Sequence, residues 1–199
     1  MSPPAERIGA PARQGPGRPR VLTEEEVLDA ALEVAREQGI ARLSMRAVAR
    51  RLGVPPMTVY GYVASKEALD VLVIDRILSG VQIPSADVGP WDERLRLLLI
   101  DARRVLVEQP NLGDGHPAVG GGAIELLHRG AFGPEASRLV TAVNDLLREG
   151  GFGDAHLDAC FGALFIYVTG YAEQPATSDI FEIGLTALIQ GLKPLAIPQ

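Results

Sequence analysis

Helical periodicity runs through the chain from Thr23 to Leu192 and constrains its fold more than any other feature of the sequence. Apolar residues recur at three- and four-residue intervals, whereas the alternation typical of strands is scarce. The periodic segments begin at capping residues such as Ser44 and Ser65, and they end at glycine or proline. Thr23, with Glu26 three residues further on, predicts a capping box at the first helix. We therefore predict an all-α protein with about nine helices.

Two short periodic segments have the spacing of a helix-turn-helix. We predict one helix from Ser44 to Gly53 and a second from Pro55 to Tyr62, joined by a turn at Gly53 and Val54. Gly53 suits the left-handed conformation that such a turn requires. Short matches of this kind also arise by chance, so the pattern alone leaves a solvated basic hairpin open.

Charge is distributed unevenly along the chain, although the formal total is -6. Residues 1–66 carry 10 Lys and Arg against 7 Asp and Glu, whereas residues 67–199 carry 9 against 18. Between residues 39 and 66 there are five basic side chains and no acidic one. A basic N-terminal third favours a polyanionic partner, because each neutralised phosphate releases counterions. The acidic remainder indicates a second task.

The segment from Thr23 to about Leu72 contains a series of characteristic runs: Glu37-Gln38-Gly39, Leu43 to Val54, Thr58-Val59-Tyr60, Tyr62-Val63 and Ser65 to Leu69. With these residues the segment closely resembles the DNA-binding domain of TetR-type transcriptional regulators. The end of the chain, from Phe181 to Leu192, is more weakly similar to the end of tetracycline-repressor-like members.

The resemblance implies an N-terminal three-helix helix-turn-helix domain that binds DNA and a C-terminal helical domain that binds an effector and dimerises. The expected organisation is a flexible basic arm at 1–20, the DNA-binding domain at 21–66 and the effector-binding and dimerisation domain at 67–199.

Helical spacing turns Val59 and Val63 toward the core and leaves the opposite face of the second short helix for base edges. The resemblance implies that Arg46 reaches a base edge or a phosphate and that Tyr60 and Lys66 hold phosphates. An extended arginine-bearing arm suits the minor groove of DNA. The predicted DNA-binding residues are Arg18, Arg20, Ser44, Arg46, Met57, Thr58, Tyr60, Gly61, Tyr62 and Lys66.

Two positions depart from the pattern of the family. Gly61 stands where many members carry a bulky aromatic or polar residue, and Pro55-Pro56 replaces residues that often form hydrogen bonds. Polar readout is therefore reduced, and the sequence does not predict the operator.

The acidic body is rich in Leu, Val and Phe and has one Trp, so a cavity among its helices should accept a small, mostly apolar effector, aromatic or polyketide-like in character. The predicted walls are Leu98, Ala102, Leu127, Val143, Phe161 and Phe165. The predicted orienting polar groups are Arg104, His116 and Asn144.

Two apolar stripes near the end of the chain have two interpretations. They are the core of one chain, or the last two helices pair with their copies in a four-helix bundle, as the resemblance implies; both hold in part if different faces are used. A dimer would read an inverted-repeat operator. The predicted dimerisation residues are Leu164, Val168, Tyr171, Phe181, Leu185 and Leu188.

Other functional classes find little support. The single cysteine, Cys160, excludes an intrachain disulfide and fits a reducing cytosol. The longest charge-free apolar stretch, residues 159–172, has 14 residues, whereas a membrane span needs roughly 20. His116, His128 and His156 lack metal-like spacing. We predict no catalytic residue, metal, cofactor or membrane partner.

These observations predict a cytoplasmic homodimeric regulator that binds double-stranded DNA, most simply a repressor of nearby genes released by a small molecule, and not an enzyme. One alternative is an all-α ligand-binding or enzymatic domain whose basic hairpin is incidental. Another is a regulator that has lost its effector and acts by DNA binding alone.

Overall fold

A computed structural model of the chain describes residues 22–108, 133–171 and 178–196, and within these ranges it contains only helices and connecting segments. The predicted all-α fold is confirmed. The predicted arm at 1–20 and a short helix expected near residues 124–128 lie outside the described residues. The eight α-helices within the described ranges are α1 (Glu24–Gln38), α2 (Met45–Leu52), α3 (Pro56–Tyr60), α4 (Lys66–Leu78), α5 (Trp91–Val107), α6 (Pro134–Glu149), α7 (Asp154–Tyr171) and α8 (Ser178–Leu192).

Side-chain caps set the starts of three of the first four helices. The Glu26 N–H donates to Thr23 Oγ1 over 3.1 Å, and the Thr23 N–H donates to the Glu26 carboxylate over 2.9 Å, so the predicted capping box is present. Ser44 and Ser65 accept backbone N–H groups at the starts of α2 and α4. Gly53 ends α2 with φ of +69°, the left-handed conformation that the turn to α3 requires.

Helices α1, α2 and α3 pack around one small core. The α1 face contributes Ala31 and Val34, α2 contributes Val48, and α3 contributes Val59, all of them fully buried. Because α3 has only five residues, Val59 is the main apolar contact that holds it in place.

Helix α4 connects this N-terminal unit to the body. It packs against α1 on one side and against α5 and α6 on the other, and its buried residues are Leu69, Val73 and Ile77. Arg76 of α4 also forms an ion pair with Glu25 of α1, with 3.4 Å between Nη2 and Oε1. The domain boundary at residue 66 stays a prediction, because α4 belongs to both cores.

The body is a bundle of α5, α6, α7 and α8 with α4 along one side. Its core includes Leu95, Leu98, Leu147, Leu164 and Leu185, each almost completely buried. None of the helices in the described ranges is long and apolar enough to cross a membrane.

Candidate DNA interface and effector cavity

The outer face of α3 carries apolar and aromatic side chains that the core leaves exposed. Met57 is 76% exposed and Tyr60 is 47% exposed, whereas Val59 and Val63 are buried. Gly61 is exposed, and its φ of -70° is an ordinary helical value, so the glycine is not needed to relieve backbone strain. Its missing side chain leaves a gap in the surface. Thr58 is half-buried beside them. The predicted facing of Met57, Thr58 and Gly61 agrees with this arrangement, while their contacts with DNA stay predictions.

Tyr62 does not lie free on this face. Its ring is half-buried against the N-terminal core, and its hydroxyl donates to the Leu22 carbonyl oxygen over 2.7 Å. The prediction that Tyr62 is free for base edges is therefore corrected. The reason is that Tyr62 follows the last turn of α3, where the chain bends back toward the residues that precede α1.

The basic residues of this unit fall into two groups. Arg42, Arg46 and Arg50 are exposed, and none of them forms an ion pair with the described part of the chain. A surface of unneutralised guanidinium groups next to α3 suits phosphates.

Arg51 instead turns toward α1. Its guanidinium donates to the Glu37 carboxylate over 2.6 and 2.9 Å and to Glu33 over 2.6 Å. These hydrogen bonds raise the pKa of Arg51, and the bond from Arg51 holds the pKa of Glu37 below its usual value. Arg51 is therefore paired with acidic residues of the protein itself, although it belongs to the basic stretch between residues 39 and 66.

Two further predicted residues have partners within the chain. Lys66 forms an ion pair with Asp70, four residues along α4. Ser44 Oγ accepts the Ala47 N–H over 3.2 Å, which leaves its hydroxyl hydrogen for another acceptor. Arg18 and Arg20 lie outside the described residues.

A cavity of about 140 Å³ lies between α4, α5, α6 and α7. Cavities of this size lined by apolar side chains hold a single aromatic ring. Five of the predicted walls line it, and Leu127 lies outside the described residues. These five are Leu98, Ala102, Val143, Phe161 and Phe165.

The predicted orienting polar groups are not the ones that line the cavity. Arg104 is exposed on α5 and pairs with Asp101 and Glu108 over 2.7 and 2.8 Å, so its assignment is wrong. Asn144 does not line the cavity either; its Oδ1 is buried without a hydrogen-bond partner in the described part. His116 lies outside the described residues.

Asp75 and Thr169 are the polar side chains that sequence reasoning missed. Both line the cavity. Thr169 Oγ1 donates to the Phe165 carbonyl oxygen over 2.9 Å within α7, so its hydrogen is already used. The signal for Asp75 was weak, because an acid within an amphipathic helix usually faces solvent.

Asp75 Oδ1 caps the start of α6. It accepts the backbone N–H groups of Glu135 and Ala136, each over 2.9 Å. Gly133 permits this approach, since a Cβ at that position would collide with the Asp75 carboxyl group. Two hydrogen bonds from backbone N–H groups at the positive end of the α6 helix dipole therefore hold the Asp75 carboxyl group at the cavity wall.

The predicted dimerisation residues are mostly core residues of a single chain. Leu164, Val168, Phe181 and Leu185 are buried without any partner chain, and Tyr171 and Leu188 pack against the same core. The assignment of the four buried residues to a dimer interface is corrected, whereas that of the partly exposed Tyr171 and Leu188 stays a prediction. Their stripes face α5 and each other, and Phe181 also lies beneath the Arg103 guanidinium, 4.7 Å from the ring centre.

The opposite faces of α7 and α8 carry exposed isoleucines instead. Ile183 is 72% exposed, Ile180 60% and Ile166 56%. A Cβ added at Gly162, or at Gly170 on the same helix, would meet nothing within 4 Å. These faces therefore expose apolar side chains, and their glycines leave the backbone open to close approach by another helix.

The described residues offer little support for catalytic or metal chemistry. Across the described residues there is no group of three or more His, Cys, Asp or Glu placed to hold a metal ion. Cys160 is buried, and burial raises the pKa of its thiol, which disfavours the reactive thiolate.

Four features define a helix-turn-helix protein of the DNA-binding class. They are the short α2, the left-handed turn that follows it, the exposed α3 and the neighbouring exposed arginines Arg42, Arg46 and Arg50. Residues 27–69 match the family described as bacterial regulatory proteins, tetR family. Its N-terminal segment thus carries the pattern of this family, and the resemblance to TetR-type transcriptional regulators is confirmed.

Curated relatives agree with this assignment. An HTH-type transcriptional regulator of Saccharopolyspora erythraea is 28% identical over 160 residues, which are 80% of this chain and 63% of the relative. The HTH-type transcriptional repressor DrrR1 of Streptomyces coeruleorubidus is 28% identical over 172 residues, 85% of this chain and 58% of the relative. The chain thus spans about three fifths of the length of these relatives.

Solved structures share the fold as well. BioQ of Mycobacterium smegmatis superposes with a TM-score of 0.72 at 26% identity, covering 88% of this chain and 100% of BioQ. A structure of BioQ with its double-stranded DNA operator superposes with a TM-score of 0.71, covering 87% of this chain and 99% of that chain.

Proposed function

We propose that this chain is a homodimeric repressor that binds an inverted-repeat DNA site and is released from it by a small, mostly apolar effector. The observation that carries the proposal is the pairing of an exposed α3 with a cavity whose wall includes α4, the helix that joins the two units.

DNA binding is supported by the charge and exposure of the α2–α3 surface. Met57 and Tyr60 project from α3, while Arg46 and Arg50 project from α2 without acidic partners in the described part. One helix of five residues reads few base pairs, so a specific site needs a second copy. DNA binding by a repressor is also supported by the similar BioQ structure that contains its operator and by the relative that is named a repressor.

Dimerisation is supported by the exposed faces of α7 and α8. Ile166, Ile180 and Ile183 form an apolar surface that one chain leaves in water, and Gly162 and Gly170 leave room for close helix approach. The proposed occupant is a second copy of the same face, because a two-fold axis brings identical patches together and also duplicates α3.

Effector control is supported by the position of the cavity. Val71, Ile74, Asp75 and Leu78 of α4 form part of its wall. A ligand that fills the cavity acts on α4, and α4 in turn fixes the α1 to α3 unit through the contacts with α1. Release follows if the ligand prefers a form in which the two α3 helices are wrongly spaced for DNA.

The polar groups that the described cavity wall offers are Asp75 and Thr169, and both are engaged in backbone hydrogen bonds. A binding role therefore accounts for the cavity better than a catalytic one. The effector-free regulator is the main rival, because DNA binding alone needs no cavity.

A mobility-shift assay with DNA from beside the gene tests the first part. We expect tighter binding to one inverted repeat than to random duplex of the same length. Equal affinity for the inverted repeat and the random duplex would favour the alternative of an all-α domain whose basic hairpin is incidental. Titration of a ligand with and without that DNA tests the second part, since linkage requires reciprocal weakening by one common factor.

A further inference from the structure

The cavity wall is apolar except at one end. Its described lining contains a single ionised group, Asp75, and a single hydroxyl, Thr169, among side chains of Leu, Val, Ile, Ala and Phe. Because Thr169 already donates its hydrogen within α7, Asp75 dominates the polarity that a ligand meets.

Only part of the Asp75 carboxylate is used by the protein. Oδ1 accepts the Glu135 and Ala136 N–H groups, while Oδ2 makes no hydrogen bond to the described part of the chain. Oδ2 therefore keeps its capacity to accept a hydrogen bond, and a donor on a ligand bound in the cavity would supply it.

We propose that Asp75 determines the class of effector: an aromatic or aliphatic body that carries a positively charged amine, with the ammonium group bound at Asp75. This inference rests on the proposed ligand role of the cavity. The opposite charges of the ammonium group and the carboxylate attract each other. An anionic ligand of the same shape is repelled.

The contact also has a position suited to regulation. Asp75 belongs to α4 and its Oδ1 holds the first turn of α6, so an ammonium at Oδ2 binds at the junction between the α4 helix and the body. Ligand charge and ligand shape thus act on the same helix that carries the link to α1.

Three ligands of equal size test the class. Benzylamine is protonated at neutral pH, benzyl alcohol is a neutral donor, and ethylbenzene is purely apolar, yet all three share one shape and fit a single-ring cavity. We would measure their dissociation constants for the full chain by calorimetry. We expect benzylamine to bind most tightly and ethylbenzene most weakly.

Asp75→Asn isolates the charge while it keeps an oxygen that can accept from α6. We expect it to reduce the preference for benzylamine over ethylbenzene by at least tenfold. Asp101→Asn is the matched control: Asp101 Oδ2 accepts the Gln82 N–H over 2.7 Å and does not line the cavity. The control should leave the preference unchanged.

Ethylbenzene separates the two proposals. If it binds while the benzylamine preference is the same in the wild type and Asp75→Asn, the role of Asp75 is overturned and the cavity remains a ligand site. If none of the three ligands binds the wild-type chain, the ligand role of the cavity fails, and the inference fails with it. Should Asp75→Asn prove unstable, a wild-type preference for ethylbenzene over benzylamine would overturn the inference by itself.

Discussion

Asp75 on α4 accepts the backbone N–H of Ala136 on α6 over 2.9 Å, so a side chain of the connecting helix fixes the start of a body helix 61 residues away. The contact depends on Gly133, because a side chain there would occupy the place of the Asp75 carboxyl group.

Gly133→Ala should therefore break this cap. Loss of a cap costs about 1 kcal/mol of the free energy of unfolding, and displacement of the carboxylate adds to it. Urea unfolding measures the effect. Gly80→Ala is the control, since its added Cβ meets neighbours at 3.4 to 3.7 Å and should change stability by less than about 0.5 kcal/mol. Equal stability of the two variants would show that the cap contributes nothing.

The free and the committed arginines of α2 should behave differently toward DNA. Arg46→Ala should weaken binding to all duplexes and lower the slope of affinity against salt by about one phosphate contact. Arg51→Ala should leave that slope unchanged, because Arg51 is bound to Glu33 and Glu37. The comparison needs anisotropy titrations over a range of salt concentrations. The same reduction in both variants would place Arg51 on the DNA as well.

Tyr62→Phe separates a structural role from a reading role. It removes the hydrogen bond to the Leu22 carbonyl oxygen and leaves the ring in place. We expect a loss of about 1 kcal/mol in the free energy of unfolding and little change in preference for specific over random DNA. A strong loss of that preference with unchanged stability would return Tyr62 to the base-reading face.

The two faces of α8 allow a paired test of the dimer. Ile183→Glu places a charge on the exposed face and should yield a folded monomer. Leu185→Glu places a charge at a fully buried position and should unfold the chain. Sedimentation velocity and circular dichroism report the two outcomes. A dimeric, DNA-binding Ile183→Glu variant would move the interface elsewhere.

Acid should weaken the contact between the end of the body and α5. Lys193 donates to the Asp92 carboxylate over 2.7 Å, and this bond holds the pKa of Asp92 below its usual value despite partial burial. Since the folded-state pKa is depressed, the contribution is present above the ordinary pKa of about 4 and is lost as pH falls through the lower one. Asp92→Asn should flatten the pH dependence of stability in that range. An unchanged pH profile in Asp92→Asn would contradict this.

The sequence predicted what depends on local chemistry. The caps at Thr23, Ser44 and Ser65 and the turn at Gly53 follow from neighbouring residues, so their positions were confirmed. The five cavity walls followed from apolar helical stripes.

The rest depends on which partner each face meets. A stripe such as that of Leu185 predicts burial, but it does not say whether one chain or two supply the covering surface. The predicted polar groups of the cavity were wrong for a similar reason. Arg104 forms ion pairs with acidic residues three and four positions away on its own helix, whereas Asp75 contacts α6 only because the tertiary fold brings the two helices together.

Selection of bound sequences from a randomised duplex library tests the central claim most directly, because the library contains every candidate half-site and the protein itself selects the operator. The wild-type chain should enrich one inverted repeat whose half-site centres are roughly 34–36 Å apart, or further if the DNA is distorted. Ile183→Glu should enrich at most a single weak half-site. Recovery of unenriched random sequence by the wild-type chain at low salt would contradict the account.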